Sequence, residues 1–321
     1  MTTLRLALLT IILTTISTLS VIAQERTITL DEDVFLTSTL LVVNDDYLGV
    51  FANFQKIFLL YDKKTGKFIT EINASDSFPG FNWAPIFPKL LQNEVFFTNS
   101  APFGVYINYD NKVTHVADRK FFASMSFDFV HDSLFVGFYT QPNGEYELRG
   151  VGRDGEPLLT FDTIELEFPR LTDRVMNNQM LYHREHIYFM PAYTNTMYVF
   201  NLKGKLEQTI TVEIDGFVKP KRDLQNSRTV DGKDFVQVTK GRSTGWGLYA
   251  LNNKELLITG RNSDKGYVSR VNIEDYTAKS KMVKSSVLPK FAWDNKLYFI
   301  DVESEPIVIK ERSISDYWNE L

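Results

Sequence analysis

Short apolar runs recur along this chain, each bounded by clusters of Asn, Asp, Gly and Lys. The runs either alternate with polar residues or continue for a few positions. That pattern predicts β-strands joined by tight turns, because strand side chains alternate across the pleat and Asn, Asp and Gly tolerate turn dihedrals. The pattern repeats six times: a strand, a polar turn, a second strand, a loop, a third strand, and in most copies a turn into a fourth. The first copy runs Thr39 to Val43, turn Asn44-Asp45-Asp46, Tyr47 to Phe51, Ile57 to Tyr61, then Asp62-Lys63-Lys64-Thr65-Gly66-Lys67 into Phe68 to Ile72. Later copies turn at Gln92-Asn93, His131-Asp132, Arg184-Glu185, Asn252-Asn253 and Asp294-Asn295. Most start about 40 to 50 residues apart, the period of a propeller blade. The interval between the fourth and fifth copies is wider by roughly 25 residues, beyond that period. The excess falls in Gly216 to Thr244, a polar insert with one weak strand expected at Asp234 to Val238. No capped amphipathic helix is read anywhere.

These repeats predict an all-β chain, a β-propeller of six four-stranded blades. The count becomes seven if the insert hides a degenerate blade. The sixth copy, Leu288 to Trp293, Lys296 to Asp301 and Pro306 to Glu311, lacks a fourth strand, and 313–321 reads as a polar C-terminal tail. An unpaired strand lies near the N-terminus, at Thr27 to Leu30 or Val34 to Leu36. Closing the ring with it removes two exposed sheet edges at once. The segment Thr27 to Leu36 is therefore expected to pair beside Pro306 to Glu311.

The N-terminus changes the picture of where this chain works. Arg5 is followed by an apolar stretch from Leu6 to Leu19, then Val21-Ile22-Ala23 before Gln24. That is the three-part pattern of a secretory signal peptide. The alternative, a membrane anchor, needs about 20 apolar residues. The expected division is a signal peptide over 1–23, one propeller domain over 24–312 and the tail over 313–321, in a periplasmic or secreted protein with no stable membrane insertion after cleavage. The chain has no cysteine, so disulfides, thiolate metal sites, a Cys nucleophile and a lipidated Cys are excluded. Net charge is -5 with no basic block, which argues against nucleic acid as a partner. Aromatic residues make up 14%, a share that favours strands.

The hairpin rhythm, the Asp62 to Lys67 turn and the export signal together resemble bacterial exported six-bladed propellers of the TolB-like and NHL-like type. The resemblance spans the mature chain and rests on repeat rhythm. It carries no catalytic motif, and many such relatives have no assigned activity. It implies that ligands sit on the face shared by the second-to-third-strand loops and the connections between blades.

Four sets of residues are candidates for chemistry. Phe78 to Trp83 is an aromatic loop suited to a sugar, peptide or partner protein, or else to filling the space between blades. The insert carries Lys219, Lys221, Arg222, Arg228, Lys233, Lys240 and Arg242 in an otherwise acidic chain, as an anion-facing cover or as a solvated surface loop. His183-Arg184-Glu185-His186 invites a metal reading, but a strand–turn–strand need not converge i and i+3, and packing is the plainer account. Calcium is a possible cofactor, either in the channel or at Asn262 to Gly266. The latter resembles an Asp-box turn but begins with Asn and has Ser269 where an aromatic belongs. No Gly-x-Ser-x-Gly elbow is present. The expected function is therefore a binding or scaffold module recognising an extracytoplasmic protein, peptide or glycan. The expected contact residues are Phe81, Trp83, Tyr139, Tyr193, Arg242, Trp246 and Arg261. The alternative is a metal-dependent hydrolase or lactonase with its site in the channel.

Overall fold

The computed structural model describes residues 25–30, 39–52, 57–73, 85–91, 94–100, 103–109, 112–115, 127–131, 134–140, 146–152, 156–172, 179–224, 232–262, 265–301, 304 and 307–321. Strand β1 (Arg26–Thr29) opens the described chain. Next come β2 (Thr39–Val43), β3 (Tyr47–Ala52), β4 (Ile57–Asp62) and β5 (Phe68–Asn73), then β6 (Pro85–Leu91), β7 (Glu94–Ser100), β8 (Phe103–Tyr109) and β9 (Lys112–His115). A third set is β10 (Phe127–His131), β11 (Leu134–Thr140), β12 (Tyr146–Gly152) and β13 (Pro157–Thr160). The fourth is β14 (Met180–His183), β15 (His186–Phe189), β16 (Thr196–Asn201) and β17 (Leu206–Thr211). The fifth is β18 (Ser243–Ala250), β19 (Glu255–Asn262), β20 (Lys265–Asn272) and β21 (Ala278–Lys284). The chain ends with β22 (Phe291–Trp293), β23 (Lys296–Asp301) and β24 (Val308–Ser313).

These strands form six four-stranded antiparallel sheets, five of them simple meanders. The sixth has the order β1-β24-β23-β22. Strand β1 pairs with β24 from Arg26 opposite Glu311 to Thr29 opposite Val308, the closure expected from the missing strand. Inner strand β22 lies against β2, so the last sheet meets the first. The architecture is an all-β propeller.

Apolar clusters straddle successive sheets. Leu41, Val43, Leu48 and Leu59 of the first pack with Ile28, Tyr298 and Ile309 of the sixth. Leu181, Tyr188 and Val199 of the fourth pack with Leu248, Leu256 and Ile258 of the fifth. The first, fourth, fifth and sixth sheets thus bury both faces, which is why their middle strands read as continuous apolar runs.

Two polar devices tie neighbouring sheets. The first occupies the third-to-fourth-strand turns. Gly66 (φ 72°) sits against Ile28 and the Thr29 carbonyl of β1, while Gly204 (φ 75°) sits against the Thr160 carbonyl at the end of β13. In both cases a left-handed glycine lets a turn press on the outer strand of the preceding sheet. The second occupies the first-to-second-strand turns. Arg184 donates to the Asn253 carbonyl at 2.6 Å, Asn252 to the Asn295 side chain at 2.8 Å, and Trp293 Nε1 to Asp45 at 2.9 Å. These bonds run from the fourth sheet to the fifth, sixth and first.

Two expectations are corrected. Asp234 to Val238 is not a strand; it lies in helix α2 (Gly232–Thr239), which follows α1 (Pro169–Thr172). Phe235 and Val238, three apart, share one helical face and pack on Leu224 and Tyr193, while Val236 is 61% exposed. The segment 313–321 is not a loose tail. Helix α3 (Ile314–Glu320) is capped by Ser313, whose hydroxyl accepts from Ser315 N–H at 3.2 Å. Ile314 and Tyr317 are buried in the fifth–sixth cluster, and Trp318 lies under Arg270 (5.5 Å) and Lys281 (5.2 Å).

Candidate functional site

In each meander the second-to-third-strand loop and the connection to the next sheet emerge at the same end. Over the fourth and fifth sheets this end is covered by the insert between β17 and β18. Its described parts, 212–224 and 232–242, are built into the fold through their apolar residues, while Lys221, Lys233 and Lys240 stay exposed. Phe168, Leu171, Ala192, Tyr193, Leu224 and Val238 form a small core of their own. The Asp223 carboxylate accepts from the first-turn N–H groups of α1, Arg170 at 3.0 Å and Leu171 at 2.9 Å. Those amides have no partner within a helix, so an acidic side chain there is favourable. Arg170 returns a bond to the Leu224 carbonyl at 3.0 Å. Val218 and Ser243 exchange bonds at 2.8 Å, backbone to hydroxyl and backbone to backbone. Lys219 pairs with Glu167 at 2.7 Å and Arg222 with Asp234 at 2.5 Å, so part of the insert's basic charge is neutralised locally.

Beneath this cap, Tyr193 is 4% exposed. Burial pushes its phenol up to about 12, against the opposing effect of bonds with the Thr239 and Thr244 hydroxyls. Tyr193 therefore ties the fourth sheet's loop to α2 and to β18. Beside it, Gly245 N–H donates to the Ala192 carbonyl at 2.6 Å. Thr244 lies directly opposite Arg261 across β18 and β19. On the side facing the sixth sheet, the Tyr249 hydroxyl donates to the Lys290 carbonyl at 3.1 Å. Burial and the neighbouring Arg261 guanidinium hold the Lys290 ammonium below the usual lysine range. The residue as a whole is exposed, so this desolvation belongs to one side of it.

Of the expected contact residues, Tyr193, Arg242 and Arg261 gather at this end of the fifth sheet. Tyr193 is an anchor rather than a displayed aromatic. Arg242 is half-buried where α2 leads into β18, and its N–H donates to Thr239 at 3.0 Å. Trp246 lies at the β18 bulge between Gly245 and Gly247, and Tyr139 lies in β11 opposite Glu147. The side chains of both fall outside the described residues, as do Phe81 and Trp83 entirely. Thr244, Tyr249 and Lys290 belong to the site and carry no motif. The signal of Thr244 and Lys290 is positional, since each lies beside a connection at the loop-bearing end, whereas Tyr249 lies near the other end of β18 and reaches the site through its ring.

At the inner strands, Asp128 of β10 pairs with Lys89 of β6 at 3.2 Å and accepts from Tyr182 N–H of β14 at 2.6 Å. One buried carboxylate thus joins three sheets and satisfies an amide on an otherwise open inner edge. The histidines follow the packing account. His183 and His186 are cross-strand partners, with the His186 ring nitrogens at 2.8 Å from the Arg184 carbonyl and 3.1 Å from Glu207. His183 bonds the Asn252 backbone, and burial pushes its imidazole below the usual value. Among the described residues there is no group of three or more His, Cys, Asp or Glu able to hold a metal ion. Asn262 of the Asp-box-like turn donates to the Gly216 carbonyl of the insert at 2.7 Å. No helix among the described residues is long and apolar enough to cross a membrane.

No protein-family model and no curated protein matches this chain. Solved structures do. A provisionally named exported protein of Bacteroides fragilis superposes with a TM-score of 0.63 at 9% identity, covering 91% of this chain and 95% of that one. A member of the DUF4221 family from Bacteroides vulgatus gives 0.63 at 11% identity, covering 91% and 96%. Regucalcin, a calcium-binding protein of Agrobacterium tumefaciens, gives 0.51 at 10% identity, covering 89% and 94%. The likeness is one of fold.

Proposed function

We propose that this chain is an exported binding or scaffold module, a six-bladed propeller of the TolB-like or NHL-like type with one blade per sheet. It recognises a protein, peptide or glycan outside the cytoplasm through its loop-bearing face. The proposal divides the chain into a signal peptide over 1–23 and a propeller over 24–312, with 313–321 as a terminal appendage. Export is supported by the pattern from Arg5 to Ala23. The observation that carries the binding reading is the cap over the fourth and fifth sheets. A chain that spends an insert, a helix and a private core on one face has built an additional surface there. Loops held on a rigid scaffold are where recognition residues concentrate.

Arrays of defined glycans and peptides probed with the mature chain test this. We expect saturable binding to members of one class, weakened in the Trp83→Ala/Arg242→Ala double variant. A folded double variant with unchanged binding would remove the contact from this face. The alternative, a channel metal serving a hydrolase or lactonase, is supported by the fold likeness to calcium-binding regucalcin. Calcium at a hundred times its dissociation constant should then raise stability by about 2.7 kcal/mol, and a chelator should reverse it. A melt that calcium and chelator leave unmoved removes that alternative.

A further inference from the structure

We propose that the outward side of α2, with the cations at its two ends, is a docking surface for an acidic, partly apolar segment of a partner protein. The proposal deepens the binding reading above and rests on it for the use of this end of the fold.

The surface follows from helical periodicity. Phe235 and Val238 turn one side of α2 onto Leu224 and Tyr193. Val236, Gln237 and Lys240 fall on the opposite side, within one turn of each other, and all three are exposed. Lys240 continues the helical turn, its N–H donating to the Val236 carbonyl at 2.9 Å. From there the chain runs through Arg242 to Ser243, whose N–H donates to the Val218 carbonyl at 2.8 Å. Val218 is a second exposed valine, at 36% against 61% for Val236. At the other end of α2, the pair between Arg222 and Asp234 holds the neighbouring Lys221 beside the first turn.

This composition does little for the fold itself. A β-branched side chain loses rotamer freedom in a helix, and Val236 recovers none of that through burial. Alanine would suit the helix better at this position. One exposed valine is ordinary on a protein surface, but these two lie among cations that the chain leaves without a counter-charge. Among the described residues, the side chains of Lys221, Lys240 and Arg242 make no ion pair or hydrogen bond. The carboxylates of the cap are committed elsewhere: Asp223 to the α1 amides, Asp234 to Arg222 and Glu167 to Lys219. The excess of cations stands against a whole-chain charge of -5. An acidic segment supplies the missing counter-charges and is drawn in by them. Apolar residues within that segment cover the valines, which favours it over a uniformly charged polymer. The private core beneath α2 keeps the surface in place, so little ordering is lost on docking.

Fluorescence anisotropy at constant ionic strength tests the surface with a labelled short peptide that alternates Glu and Leu. Poly-Glu of the same length, polygalacturonate and phosphatidylglycerol vesicles are the comparison arms. We expect saturable binding of the alternating peptide, weakened about tenfold or more by Lys240→Glu, which reverses one contact charge. Val236→Ala should weaken it about threefold while leaving Tm unchanged or higher, because contact is lost and the helix is improved. Lys203→Glu makes the same charge reversal at the opposite end of the fourth sheet, and should change binding by less than about twofold. No saturable binding, or an equal effect of Lys203→Glu, overturns the surface. Polygalacturonate or vesicles bound in place of the peptide, with the same dependence on Lys240, overturn the assignment to a protein segment. Poly-Glu bound as tightly as the alternating peptide overturns its apolar part. The same variants on the arrays separate the two readings. Array binding that Lys240→Glu and Val236→Ala leave unchanged sinks this surface and leaves the loop-face reading standing; silence from arrays and peptide alike sinks both.

Discussion

The Gly204 turn gives the sharpest test of how the sheets are held together. Gly204 has φ 75°, where an L side chain is strained, and a Cβ there would lie 2.2 Å from the Thr160 carbonyl oxygen and 2.9 Å from its carbon. Both atoms are backbone, so no rotamer change relieves the contact. The turn would have to lift from the third sheet, stretching the 2.8 Å bond from Asp162 N–H to the Gly204 carbonyl. Left-handed strain costs about 1–2 kcal/mol, and forcing extra atoms into a packed site about 1–3. A gain of about 0.4–1 kcal/mol from a stiffer unfolded chain offsets part of this. The net expectation for Gly204→Ala is a loss of about 2–4 kcal/mol.

Gly216 supplies the control within the same chain. Its φ is 67°, but a Cβ there would meet only the Met282 sulfur at 3.9 Å, an ordinary contact. Gly216→Ala therefore carries the strain without the collision, about 1 kcal/mol. At roughly 2 °C per kcal/mol for a chain of this size, Gly204→Ala should lower Tm by about 4–8 °C and Gly216→Ala by about 2 °C. Urea unfolding of both variants beside the parent supplies the free energies directly. Equal losses would refute the idea that the turn is pressed onto the preceding sheet, and would reduce Gly204 to a matter of dihedral preference.

Two further predictions concern charged groups. Asp128→Ala leaves Lys89 and the Tyr182 N–H without their shared partner, and should cost about 3–5 kcal/mol in urea unfolding. Glu274→Ala, which breaks the exposed pair with Lys254, should cost under about 1 kcal/mol; similar losses would place Asp128 in water. The imidazole of His183 is held below its ordinary value of 6.5 by burial. As pH falls through 6.5 the unfolded chain takes up a proton that the folded chain resists, so stability falls toward pH 5. His183→Gln should flatten that slope in thermal melts between pH 7 and 5, and an unchanged slope would assign the effect to other groups.

The ring was legible because it follows from local patterning plus one deficit. Six hairpins with turn residues between apolar runs define sheets, and a last sheet one strand short demands a strand from elsewhere. The pairing of Ile28 with Ile309 meets that demand. What failed were the short helices. Phe-Val-Gln-Val at 235–238 has the alternation of a strand, and only its tertiary surroundings choose the helical face of Phe235 and Val238. Likewise Ile314 and Tyr317 look isolated in a polar segment until the fifth–sixth seam is there to receive them. Short helices draw their stability from packing rather than propensity, so patterning of a few residues decides little.

The site was harder to read, for a related reason. Arg242, Arg261 and Tyr193 could be placed near one face because each flanks a loop at the same end of the repeat. Their roles could not, since they depend on contacts between copies of the repeat. Tyr193 resembles a display aromatic in sequence, yet its hydroxyl is spent on Thr239 and Thr244 from two elements more than forty residues away. Lys290 is one of many lysines until Gly266 lets Leu288 approach and brings its segment against the fifth sheet. In a propeller the repeat determines which residues share an end, and the seams determine which of them meet. The seams are where residues such as Gly266 and Asp128 act. A search for function in this fold is therefore better aimed at departures from the repeat at a seam than at residues that recur in every copy.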